Sequence, residues 1–220
     1  MRDKSRFVRE GLIPAEVPNF PFGYALGNRI WVMTQQSEYY TRHLVLHEGV
    51  HSLAFAAFGG GGPTWFQEGT AELLATHSGA RSQLAVNQVP QSREDVPYWG
   101  RFKRMSQLRE AGKVPSLRAV MRYQPDLTGD VGPYGWSWAA AMILQAYPEY
   151  RNAFHEAARN GRVVGPGFNR RLRGALRDQW PVLLARWRIM VNDIDYGFDW
   201  SREQVELSVD DPVWDGKTFK

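Results

Sequence analysis

His47 and His51 stand four residues apart with Glu48 between them, and Glu68 and Glu72 follow after a run of four glycines, in a chain that has five histidines in all. On an α-helix, residues i and i+4 share one face a turn apart. Both imidazoles can therefore reach one divalent cation at ~2.0–2.1 Å per bond. Glu48 projects beside that point, too close in sequence to be a comfortable ligand but well placed to take a proton from water held there. A hydrolytic zinc site uses three protein ligands and keeps one position open. Glu68, separated from His51 by sixteen residues, supplies the third if a helix, a reversal and an antiparallel helix bring it back. Glu72 lies one turn further along the same face, where it can accept the free N–H of a liganding imidazole. The chemistry this set would serve is hydrolysis assisted by one Zn²⁺ ion.

Those positions require particular elements around them. The stretch up to about residue 22 carries Pro14, Pro18 and Pro21 and reads as an extended lead-in. Gly27-Asn28 is a turn signal before the β-prone run Arg29–Thr34, which predicts a small hairpin or edge strand. From about Tyr39 to Phe58 the pattern is helical, with Leu44, Val45, Val50, Leu53, Ala54 and Phe58 at three- and four-residue intervals. Gly59 to Gly62 end that helix. A second helix starts at Pro63-Thr64, with Thr64 as N-cap and Gln67 in the capping-box position, and runs to about His77. Further helices are expected over Arg101–Ala111, at "PSLRAVMRY", over Tyr134–Tyr147, from Pro148, over Asn169–Trp180 and from Pro181 to about Asp193. The fold class expected is α+β and mostly helical, one domain over residues 1–196 with an irregular tail, 197–220.

Composition narrows the possibilities. A chain of 220 residues can bury a substantial core, and nine tryptophans point to an aromatic one. With no cysteine, disulfides, thiolate metal sites and a cysteine nucleophile are excluded. The formal charge of +4 is a mild basic excess, much of it between Arg151 and Arg188. That run has no nucleic-acid motif and reads as a solvated arginine-rich face, so no nucleic-acid partner is expected. No window approaches the ~20 apolar residues of a membrane span, and "MRDKSRFVREGLIP" lacks the apolar core of a secretory signal. The expectation is a cytoplasmic protein if Met1 is the native start, and an extracytoplasmic one if the chain is a processed form.

His47-Glu48-x-x-His51 followed by "WFQEGTAELL" resembles the gluzincin zinc metallopeptidases, the group that includes thermolysin-like and aminopeptidase-N-like enzymes, and most of all the small peptidase MA-like domains. The similarity covers mainly Gly27–Ser78 and extends more weakly through "PSLRAVM" and "YGWSWAAAMIL". The resemblance implies a zincin-like fold in which His47, His51 and Glu68 ligate zinc, Glu48 is the general base and Glu72 orients a zinc histidine. It also implies a peptide or protein substrate bound along the early sheet edge. The chain departs from the pattern in a shorter interval before Glu68, in Gly49 inside the metal helix, in the little chain available before that helix for a multi-stranded sheet and in the lack of a "GxMEN" segment, while Ala57, where metzincins carry a third histidine, excludes that branch.

An oxyanion donor is still needed, and Tyr134, with Tyr147 behind it, is the candidate, set against an equally good reading as core. His77 and His155 read as surface or partly buried residues, and His43 as a redundant ligand near the metal. The alternative to an enzyme is a catalytically silent zinc-binding module for peptides or a partner.

Overall fold

The computed structural model describes residues 1–124 and 129–200. In chain order they form α1 (Lys4–Arg9), the hairpin β1 (Gly23–Leu26) and β2 (Arg29–Val32), α2 (Glu38–Phe58), α3 (Thr64–Ala75), the two-residue strands β3 (His77–Ser78) and β4 (Ala85–Val86), α4 (Arg101–Glu110), α5 (Leu117–Val120), α6 (Gly132–Ala146), α7 (Pro148–Arg159), α8 (Pro166–Ala175) and α9 (Trp180–Asp193). The class is α+β, mostly helical. Both sheets are two-stranded and antiparallel, with Gly23 opposite Val32 in the first and His77 opposite Val86 in the second. No described helix is long and apolar enough to cross a membrane.

Local chemistry fixes the two helices that matter most. Ser37 Oγ accepts the Tyr40 N–H at 2.9 Å and Glu38 adds negative charge to the first turn, so α2 starts there. It ends at Gly59, whose φ is 72°. The chain then reverses, held by the Gly62 N–H on the Gly161 carbonyl at 2.8 Å. α3 does not begin as the capping-box pattern predicts. Pro63 is its N-cap, with no side-chain cap, and Thr64 is already helical. Gln67 instead donates from Nε2 to Glu68 Oε1 at 3.3 Å. The helix stops two residues short of His77, at Thr76, whose hydroxyl turns back on the Glu72 and Leu73 carbonyls at 3.1 and 3.0 Å.

The apolar period of α2 also has a different outcome from the one it predicts. Val45, Leu53 and Phe58 are exposed, while the buried positions are Tyr39, His43, Leu44, His47 and Glu48. The inward face of this helix is therefore largely polar. The core forms around α6, whose residues from Gly135 to Leu144 are all buried and which packs chiefly on α3. Gly69 permits that approach, because a Cβ there would run into the Ser137 backbone carbonyl. Trp138 anchors the cluster against Trp99 and Phe102, with ring centroids 5.7 and 5.3 Å away, and its indole N–H reaches Thr76 Oγ1 at 3.2 Å.

A smaller core of Ile13, Val17, Phe20 and Trp31 joins the lead-in to the hairpin. The lead-in is not wholly extended, because Asp3 caps α1 by accepting the Arg6 N–H at 3.3 Å. α8 starts three residues before its expected position and ends at Ala175. Residues 197–200 of the expected tail carry no helix or strand, and the Trp200 ring rests 6.0 Å from Tyr147; positions 201–220 lie outside the described residues.

Candidate metal centre

α2 and α3 run antiparallel, so Glu68 faces His47 and His51 while Glu72, a turn later, faces His43 and His47. The i, i+4 period and the four-glycine reversal together produce this pairing. Three atoms converge. His47 Nε2 is 3.1 Å from His51 Nε2 and 3.2 Å from Glu68 Oε2, and His51 Nε2 is 3.6 Å from that same oxygen. Ligands at ~2.05 Å around a tetrahedral zinc stand about 3.3 Å apart. The triangle has that size, and two imidazole nitrogens with one carboxylate oxygen are the donor set of hydrolytic zinc. The residues fit the ion.

A second cluster, His43, His47 and Glu72, also has donor atoms within 4.8 Å of one another. It is a poorer cation site, because a cation already fills it. Arg101 Nη2 donates to Glu72 Oε1 at 2.6 Å, with both side chains buried. Trp99 Nε1 donates to Glu72 Oε2 at 3.1 Å. Burial alone would raise the Glu72 pKa, but Arg101, together with His43 and His47, holds it well below the carboxylate range. Glu72 is a buried anion whose oxygens are already engaged.

Each imidazole has a distinct setting. His47 Nδ1 lies 3.3 Å from Glu72 Oε1, within ion-pair reach but at an angle too poor for a full hydrogen bond. Burial opposes charge on His47, yet Glu68 and Glu72 outweigh it and favour a cation there. Glu68 shows the converse: burial would raise its carboxyl, and the His51 and His47 imidazoles pull it down. His43 is not a redundant ligand. Its Nδ1–H donates to the Ala75 carbonyl at 3.1 Å, its Nε2 lies 3.4 and 3.5 Å from the two Glu72 oxygens, and burial keeps it neutral. His77 is likewise buried. It donates from Nδ1 to the same Ala75 carbonyl at 2.8 Å, accepts from Arg42 Nε at 3.0 Å, and closes the end of α3. His155 is exposed beside Gln145.

Glu48 lies on the hairpin side of α2. It is 8% exposed, and burial raises its pKa, an effect only partly offset by His47 and His51. Gly23 of β1 makes room for it: a Cβ there would stand 2.7 Å from Glu48 Cγ and Oε1. The phenol of Tyr134 comes from the start of α6, its ring centroid 6.3 Å from that of His47 and 5.7 Å from the Arg101 guanidinium. Burial, then Glu68 and Glu72, raise its pKa, so it stays protonated. Tyr147 lies at the other end of α6, stacked under Arg186 at 4.1 Å, and does not stand behind Tyr134.

Residue-type reasoning missed Arg101, Trp99 and Gly23. Trp99 lies just before α4 and Arg101 is its first residue, with no motif around either, and only their buried environment in the fold marks them. Comparison of the chain with protein-family models, with curated proteins and with solved structures finds no match.

Proposed function

We propose that this chain is a zinc-dependent metallopeptidase of gluzincin type with a zincin-like arrangement, in which His47, His51 and Glu68 would hold one Zn²⁺ ion. The observation that carries the reading is the donor triangle with sides of 3.1, 3.2 and 3.6 Å, built from residues of two helices joined by a glycine reversal. When bound, the ion would supply Lewis acidity, polarising a scissile carbonyl and making water more acidic.

The protein's own groups do the rest. Glu48, with its proton affinity raised by burial, accepts a proton from the attacking water and hands it to the leaving amine. Tyr134 keeps its hydroxyl proton at neutral pH and donates a hydrogen bond to the oxygen on which negative charge develops. Glu72, held in place by Arg101 and Trp99, presents a fixed negative edge to His47 Nδ1 and so aligns that ring. The hairpin beside Glu48 offers a strand edge to an extended peptide, which makes a peptide bond the natural substrate.

The test pairs metal analysis with turnover of a peptide library. Wild type should carry about one zinc and cleave peptides. Glu48→Gln should keep the zinc and lose turnover by ~10²–10⁴-fold, the usual contribution of a general base. Turnover that persists unchanged in Glu48→Gln would overturn the mechanism. Bound zinc with no turnover in wild type would leave a silent zinc module in its place.

A further inference from the structure

Beyond Gln67, whose amide donates to Glu68 Oε1, the surface opens into a cavity of about 830 Å³ between the starts of α3 and α8 and the end of α5. Its charge is one-sided. Arg118 and Arg122 line it from α5 and the turn after it, Arg170 and Arg173 from α8, and among the described residues no acidic one is in its lining. Among the described residues none of the four is paired with a carboxylate, and all four are exposed. Neither α3 nor α8 has a side-chain cap at its start, so two positive helix ends add to the four guanidinium groups. Like charges gathered in a concavity focus their field and draw counter-charged ligands.

We propose that this cavity binds acidic side chains of the peptide cleaved at the neighbouring metal centre, so that the substrate class is acidic peptides. The inference rests on the peptidase reading for its register along the substrate, but not for the binding itself. Guanidinium groups suit carboxylates, which they can grip through two parallel N–H donors. A nucleic-acid strand fits less well. Binding of single strands relies on aromatic platforms for successive bases, and among the described residues the only aromatic ring in this lining is Tyr123. Gln67 makes the link to the metal centre, since one side chain lines the cavity and touches a candidate ligand.

The experiment measures fluorescence anisotropy of zinc-loaded Glu48→Gln protein with labelled decapeptides. One alternates Glu and Ala, one Gln and Ala, one Lys and Ala, and a single-stranded oligonucleotide is added as a fourth probe. The acidic peptide should bind at least ~10-fold more tightly than the neutral one, with a preference that shrinks as salt is raised. Arg170→Glu/Arg173→Glu and, independently, Arg118→Glu/Arg122→Glu should each bring the acidic peptide down to the neutral level while leaving the neutral peptide and the zinc content unchanged. Equal affinity for the acidic and neutral peptides, a preference that survives both double variants, or an oligonucleotide that binds more tightly than the acidic peptide would each overturn the proposal. The readout is binding, so the two readings fail separately. An acidic preference without cleavage by wild type removes only the hydrolytic reading, and cleavage without the preference removes only this one.

Discussion

α3 has two faces that hold the molecule together by different means. Towards α2 it presents Glu68 and Glu72 to three histidines, and the seam is held by polar contacts between buried and half-buried groups. Towards α6 it presents Gly69, against the Ser137 carbonyl and the Ala141 methyl, and the seam is held by close packing. The successive residues Glu68 and Gly69 belong to different seams. On the charged side each group's position depends on its partner's charge, and removing one leaves another uncompensated. On the apolar side position depends on volume, and the penalty comes from adding atoms.

The largest effect is expected from breaking the charged seam at its base. Arg101→Met leaves Glu72 buried without its cation and should lower stability by ~3–5 kcal/mol in chemical denaturation. It should also weaken zinc binding by ~10–100-fold, as loss of a ligand's supporting partner does, when measured by chelator competition. Next in size is the effect of packing: Gly69→Ala should lower stability by ~1–3 kcal/mol, because a backbone carbonyl cannot swing aside as a side-chain end can. Zinc affinity following stability down in the second variant would blur the distinction between the seams.

Acid should act on the charged seam alone. The Glu72 carboxyl titrates lower in the fold than in the unfolded chain. Its contribution is therefore complete above the ordinary carboxylate range and drains away as pH falls from that range down through the lower pKa it has in the fold. Urea midpoints of metal-free protein should fall across that window, and Glu72→Gln should flatten the decline. The smallest effect is expected at Gly49, where no atom would lie within 4 Å of a Cβ. Gly49→Ala should raise stability by up to ~1 kcal/mol, the difference in helix propensity, and leave zinc binding unchanged.

The two seams also differ in how far they could be read from the sequence. His47, His51 and Glu68 were legible because helical period and ligand chemistry are local rules, and Glu72 followed from being a turn away from Glu68. The hairpin was legible from Gly27-Asn28. Arg101 was not, since it meets Glu72 across 29 positions and nothing near it differs from a solvated arginine. The apolar period of α2 misled for a related reason: the histidines of that helix find partners in Glu68, Glu72 and the Ala75 carbonyl of α3, so the polar residues took the buried face and left Val45 and Leu53 outside. His77 read as a surface or partly buried residue because its partners, Arg42 and the Ala75 carbonyl, become neighbours only once α3 has ended.

The contact between Gly23 and Glu48 means that the lead-in and hairpin are not a detachable preface. A fragment beginning at Ser37 would keep every candidate ligand, yet strip the cover from one side of Glu48. Water would then stabilise that anion, and its appetite for a proton would relax towards that of a free glutamate. Such a fragment would still be able to grip a metal while being slower to move protons, so the grip and the turnover depend on different lengths of chain.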